Sequence, residues 1–315
     1  MTLRPDRDDD RRFLSPVVRR LVAEHGLDPA AIRGSGLGGR LTRTDVLAAA
    51  AATKPRSAVG TPAAPIGTPA GIATPAPAPG DEVVPFSPIR RRIAEHLMRS
   101  QTTAAHAFCS VRVDFERLER VRREHGAQWR EREGFGLTYL PFIVRAVVDA
   151  LAEFPTLNAT TVGEEIWIHD KVDLGVAVDL GFEGLVVPII RDVETKRLRA
   201  IARSVVEVAG RARAGGLSVD DMSGGTFTIT NPGAAGTQCS IPIINQPQVA
   251  ILVTDGVARR PVVVTDGGGR DQMVFHAVGT LGLSFDHRAV TGYDAARFLA
   301  QVRTALQERD WDTEL

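Results

Sequence analysis

Residues 53–80, TKPRSAVGTPAAPIGTPAGIATPAPAPG, are drawn mainly from Ala, Pro, Gly and Thr and contain no aromatic side chain. Such a tract has too little apolar mass to offset the entropy of ordering it, so it is expected to be an extended, mobile linker. A chain interrupted in this way cannot build one continuous core. It is expected to fold as a small N-terminal unit, residues 13–50, and a large unit, residues 83–315, joined through residues 51–82.

The bulk numbers exclude several classes. Lys and Arg total 38 against 38 Asp and Glu, so the net charge is zero and neither nucleic acid nor an anionic membrane is expected as the main partner. Two cysteines, Cys109 and Cys239, cannot form a disulfide framework, and the start MTLRPDRDDDRRF lacks the apolar stretch of a signal peptide. A reducing cytoplasm is the expected location. No run approaches the roughly eighteen apolar residues that a spanning helix needs.

In the small unit, Ser15 precedes Pro16 and a periodic run in which Val17, Leu21 and Val22 share a face, with Gly26 as the stop. A second helix is expected after Thr42, where TRTD fits a capping box with Asp45 reaching back. Between them GSGLGG, residues 34–39, has the spacing of a dinucleotide fingerprint but follows no strand. It is better read as a loop whose glycines permit positive φ. About forty residues make a marginal core, which suits partner binding better than catalysis.

The large unit mixes periods. Helical spacing covers 87–99, 138–153, 198–213 and 293–308, and strand-like runs cover 172–178, 185–190, 226–230, 248–254, 261–264 and 273–285. Strands outnumber helices and do not alternate with them, which points to an α+β fold with a mixed sheet and away from a doubly wound one.

Long stretches of both units resemble a known family. SPVVRRLVAEHGLDPAAIRGSGLGGRLTRTDVLAA is similar, almost end to end, to the all-α, two-helix peripheral subunit-binding domain of 2-oxo acid dehydrogenase complexes. The blocks VPFSPIRRRIAEHLMRS, GGTFTITNPG, GTQCSIPIINQPQVAIL and LSFDHRAVTGYDAARFL resemble, in order, the catalytic domain of the dihydrolipoamide acyltransferases (E2). Four ordered blocks are far more specific than any lone motif.

The resemblance implies the chloramphenicol acetyltransferase fold and acyl transfer between thiols. A thiol with a pKa of about 8.5 is mostly protonated at neutral pH, and an imidazole near 6.5 suits its deprotonation. By the resemblance His287 is the base, and Thr230, followed by Asn231, donates to the oxyanion. It also implies homotrimers, with base and donor on adjacent chains and a shared tunnel admitting coenzyme A and a lipoyl arm from opposite ends. Further assembly into a larger core is possible in the family. Arg19, Arg20, Arg40 and Arg43 become candidates for docking the decarboxylase (E1) or flavin dehydrogenase (E3) components, since a guanidinium can grip a carboxylate through two hydrogen bonds. No metal and no covalently bound cofactor is expected.

Two departures qualify the resemblance. The usual D-H-R-x-x-D-G reads DHRAVTG here, so Thr291 stands where an aspartate is expected and cannot neutralise a cation. This leaves open a catalytically impaired scaffold that docks partner subunits. Only a dozen residues precede the binding unit, and HDKV at Lys171 opens a strand and so makes a poor lipoylation hairpin. The acyl group is therefore expected from a separate lipoyl or acyl carrier protein, with coenzyme A or a phosphopantetheine arm as the other thiol.

Overall fold

The computed structural model describes residues 15–36, 39–53, 76–181 and 184–315. Most of the expected linker lies outside them. The chain divides into two compact units, Met1–Val83 and Val84–Leu315.

In the first unit, helix α1 spans Pro16–Glu24, and the Ser15 hydroxyl accepts from Val18 N at 3.3 Å. Helix α2 spans Arg43–Thr53. Val18, Val22 and Val46 form the core, with Leu21, Leu27, Ile32 and Leu41 packed against it. The buried face differs by one residue from the expectation. Val18, Leu21 and Val22 stack at the i, i+3, i+4 spacing, so Val17 turns outward and is 57% exposed.

The second unit opens with α3, Pro88–Thr103, capped by Ser87, and β1, His106–Asp114. Then come α4, Glu116–Glu133, and α5, Leu140–Glu153. Two short hairpin strands follow, β2 Ala159–Val162 and β3 Glu165–Ile168. Next are β4 Leu174–Val176, β5 Val178–Asp179, β6 Leu185–Val186 and β7 Ile189–Ile190. Helix α6, Leu198–Arg213, leads to β8 Phe227–Thr230, β9 Ala250–Thr254, β10 Ala258–Thr265 and β11 Asp271–Asp286, and α7, Gly292–Glu308, follows.

Seven strands make one mixed sheet in the order β1-β11-β9-β8-β4-β7, with β10 also on β11. The β9–β8 and β8–β4 pairs are parallel, and the others antiparallel. The sixteen-residue β11 is the spine: it pairs with β1 along one edge and with β10 and then β9 along the other. Helix α7 packs on β1 and β11, and α5 packs between α6 and α7. Phe298 of α7 stacks near Phe227 and Phe154 at 6.2 and 6.1 Å, and Trp311 meets Phe142 edge-on at 5.2 Å.

The four expected helices form, while α4, β1, β2 and β3 were not foreseen. Helix α4 buries only Leu118, Val121 and Trp129 among eighteen mostly charged residues, too sparse a stripe to stand out. Strand β1 is a sheet edge whose residues are mostly half-buried, so its alternation is blurred.

Candidate active site

The DHR motif closes β11. Asp286 pairs with His106 of β1 and is fully buried. Its carboxylate accepts from Arg288 Nε at 3.0 Å and Nη2 at 2.6 Å, from Arg288 N at 3.1 Å and from Ala105 N at 3.2 Å. Burial pushes the Asp286 carboxyl upward, but the Arg288 and Ala105 hydrogen bonds outweigh it and hold the group below the usual carboxylate range. The Asp286 carbonyl accepts from Ala289 N and Val290 N, both at 3.0 Å, closing the turn.

Asp286 and Arg288 thus answer each other and fix the backbone on both sides of His287. The His287 amide donates to Ala105 O at 2.8 Å, and the exposed imidazole sits 5.7 Å from the Phe285 ring. Gly292 stands beside it: a Cβ built there would lie 3.9 Å from His287 Nε2.

Thr291 is the N-cap of α7. Its hydroxyl accepts from Asp294 N at 3.2 Å and donates to Asp294 Oδ2 at 2.7 Å. The position four residues beyond the histidine is a capping position, where Asp, Asn, Ser and Thr are the favoured residues. Threonine therefore keeps the helix start, and Asp294 keeps a carboxylate at it.

Thr230 ends β8 and lines a groove of about 340 Å³. Its walls are largely aliphatic, with Leu97, Leu185, Val187, Ile241, Ile251 and Val253 among them. Asn231 caps the following turn, its Oδ1 accepting from Gly233 N at 3.1 Å. One end of the groove carries a polar chain. The Thr228 hydroxyl donates to Gln248 Oε1 at 2.6 Å and accepts from Asn245 Nδ2 at 3.4 Å, while His96 Nε2 lies 3.1 Å from Asn245 Oδ1. Asn245 thus links the Thr228 hydroxyl to the His96 ring. His96 and Asn245 also line a neighbouring cavity of about 780 Å³. Both lie inside the quoted sequence blocks, but nothing in their spacing marked them.

The strand register separates the two motifs within one chain. Thr230 is level with Val253, and Val253 with Gly282. Asp286 is four positions further along β11, roughly 13 Å down the strands and two strands, roughly 9 Å, across. His287 lies beyond it and does not line the Thr230 groove.

In the first unit Arg19, Arg20, Arg40 and Arg43 are all exposed. Asp45 ties the glycine loop to α2: its carboxylate accepts from Ser35 N and Thr42 N, each at 2.9 Å, and from the hydroxyls of Ser35 at 2.7 Å and Thr42 at 2.8 Å. Gly34 and Gly36 let the strands of the loop cross, since a Cβ on Gly34 would lie 2.3 Å from Gly39 O, and one on Gly36 2.7 Å from Arg40 O. Elsewhere Glu124, His125 and Asp312 bring ligand atoms close together at the surface, with His125 Nε2 2.9 Å from Asp312 Oδ1. No helix among the described residues is long and apolar enough to cross a membrane.

The family model for the 2-oxoacid dehydrogenases acyltransferase catalytic domain matches residues 78–311, and that for the E3 binding domain matches residues 12–47. The chain belongs to the 2-oxo acid dehydrogenase acyltransferases. It is 37% identical over 298 residues to the succinyltransferase component of the 2-oxoglutarate dehydrogenase complex of Escherichia coli, covering 94% of this chain and 70% of that one. It is 34% identical over 329 residues to the lipoamide acyltransferase component of the branched-chain alpha-keto acid dehydrogenase complex of Bacillus subtilis, covering 98% and 74%. The solved dihydrolipoamide acetyltransferase of Azotobacter vinelandii superposes with a TM-score of 0.68 at 32% identity, covering 75% of this chain and 98% of that one. That enzyme was investigated for the catalytic roles of a serine, a histidine and an asparagine four residues beyond the histidine, the spacing that separates Thr291 from His287 here.

Proposed function

We propose that this chain transfers an acyl group between a lipoyl or phosphopantetheine thiol supplied in trans and coenzyme A, within a 2-oxo acid dehydrogenase-type complex. His287 removes the proton of the attacking thiol, and the thiolate adds to the thioester carbonyl. The Thr230 hydroxyl donates to the oxyanion where the charge develops. Collapse of the tetrahedral intermediate breaks the old C–S bond, and the departing thiolate takes the proton back from His287. Asn231 holds the turn that follows Thr230 and so positions the donor. Residues 13–50 dock the decarboxylase or flavin dehydrogenase components through Arg19, Arg20, Arg40 and Arg43.

The register carries this reading. With base and donor at opposite ends of the central strands in one chain, a working centre needs the corner of one protomer set over the groove of the next, as in a homotrimer. Thr291 as a helix cap supports an active site over an impaired scaffold, since the corner beside His287 is fully built.

Complementation tests it. His287→Ala and Thr230→Val are each expected to be inactive alone, whereas co-assembled protomers should regain part of the transfer rate, because some sites then combine the intact histidine of one chain with the intact threonine of another. Mixed assemblies seen by native mass spectrometry but lacking any transfer would overturn the shared site.

A further inference from the structure

The acyl groups named for similar enzymes differ in one decisive respect, the presence of a second carboxylate. The Escherichia coli relative handles succinyl, whereas the Azotobacter vinelandii enzyme handles acetyl. Identity alone ranks the succinyltransferase above the branched-chain relative by 37% to 34%, too small a margin to choose a substrate. The groove beside Thr230 allows a choice on physical grounds.

An acyl carbon whose oxyanion is held by Thr230 must have its chain in or against this groove. Its lining holds aliphatic side chains from α3, β6, β9 and the 240–243 loop and, among the described residues, no Lys, Arg, Asp or Glu. Two lining residues, Ile251 and Val253, come from the buried β9 and give the groove an apolar floor. The polar residues other than Thr230 are already engaged: Thr228 with Gln248 and Asn245, the Ser240 hydroxyl with Asp255 Oδ1 at 2.8 Å, and His96 Nε2 with Asn245. Among the described residues His96 is the one titratable side chain in the lining, and its Nε2 is engaged with Asn245.

At the corner that a neighbouring protomer would add, the nearest guanidinium is already paired. Arg288, the guanidinium next to His287, is committed to the buried Asp286 through Nε and Nη2. A succinyl carboxylate entering this space would lose its water and find no counter-charge, a cost that grows with burial. An aliphatic chain meets the opposite conditions, gaining by each methylene that leaves water.

We infer that the groove selects an uncharged aliphatic acyl group larger than acetyl, of the straight or branched four- to five-carbon class, and rejects dicarboxylic acyl groups. This rests on the acyl transfer reading above. The groove holds the specificity and the His287 corner the chemistry, so the two are separable by experiment.

The full chain would be assayed with coenzyme A and chemically acylated dihydrolipoamides bearing acetyl, butyryl, isobutyryl, 2-methylbutyryl and succinyl groups. Expected kcat/KM values rise from acetyl to the four- and five-carbon acyls by roughly fourfold for each methylene buried. Succinyl should fall at least about 100-fold below isobutyryl. Leu185→Arg, at the groove rim, should narrow that gap by raising succinyl transfer and lowering isobutyryl transfer. Succinyl transfer equal to or faster than isobutyryl, or no gain from acetyl to butyryl, overturns the inference while leaving acyl transfer intact. Inertness toward all five overturns the transferase reading itself.

Discussion

Two aspartates, one in each unit, gather backbone amides in the same way on very different ground. Asp45 takes four N–H and O–H donors of Ser35 and Thr42 in a unit whose core consists of Val18, Val22 and Val46. Asp286 takes Arg288 and the amide of Ala105 at the end of a strand inside a core of some forty buried side chains. In the small unit the carboxylate stands in for missing apolar mass, and losing it should lose the fold. In the large unit the fold rests on burial, and the carboxylate instead fixes where one histidine points. Similar local chemistry thus serves stability in one unit and placement of the proposed base in the other.

The sharpest way to separate these roles removes the reactive group and nothing else. His287→Ala is expected to lower kcat by roughly 10²–10⁴-fold, the range for loss of a general base, while thermal unfolding and partner docking stay as in the parent. Its ring is exposed and its backbone is held by groups other than its own side chain, so little packing is lost. A fall in melting temperature matching the fall in rate would mean that the corner is structural.

Asp286→Ala comes next. It leaves the Ala105 amide without its acceptor and releases an Arg288 guanidinium that water can still reach, at a cost of about 1–2 kcal/mol. Calorimetry should show the loss in the large unit alone. The pH dependence has a definite sign. The folded carboxyl titrates below its unfolded range, so its contribution to stability is complete above about pH 4 and decays as acid carries the pH down through the folded value. Asp286→Asn should remove that acid limb, and an unchanged limb would assign it to other carboxylates.

The contrast between the units also explains what the sequence could and could not disclose. Caps and periods are local, so Ser15, the Thr42–Asp45 box and helices over 198–213 and 293–308 were readable, the last to within a residue of α7. The strongly charged α4 and the edge strand β1 depend on what packs over them, and no local rule marks them. At the site, His287 and Thr230 stood out because their blocks are distinctive as blocks. His96 and Asn245 lie 149 positions apart and meet only when α3 packs beside the 244–245 segment, so neither had a signal of its own. Thr291 looked like a lost charge because the sequence shows a substitution and hides the cap.

Asp45→Ala carries the comparison into the small unit. The amides of Ser35 and Thr42 and both hydroxyls lose their acceptor together, which a core of three valines cannot absorb. The expected result is loss of the small unit's helical circular dichroism and of binding to the dehydrogenase subunits, with transfer to free coenzyme A unchanged. Docking that survives would show that the apolar contacts suffice.

The smallest effect tests whether the position beyond the histidine acts as a cap. Thr291→Ala removes the hydroxyl that both receives the Asp294 amide and holds its carboxylate, a loss of about 1 kcal/mol for an N-cap. Thr291→Asp keeps an acceptor for Asp294 N but sets two carboxylates together, since Asp294 Oδ2 already occupies the space at 2.7 Å. The aspartate variant should therefore be no more stable than the parent, and should recover only when paired with Asp294→Asn. Asn at position 291, which caps without charge, should match threonine in both stability and transfer rate. If Thr291→Asp alone raised transfer severalfold, the position would serve the imidazole directly and the cap would be incidental.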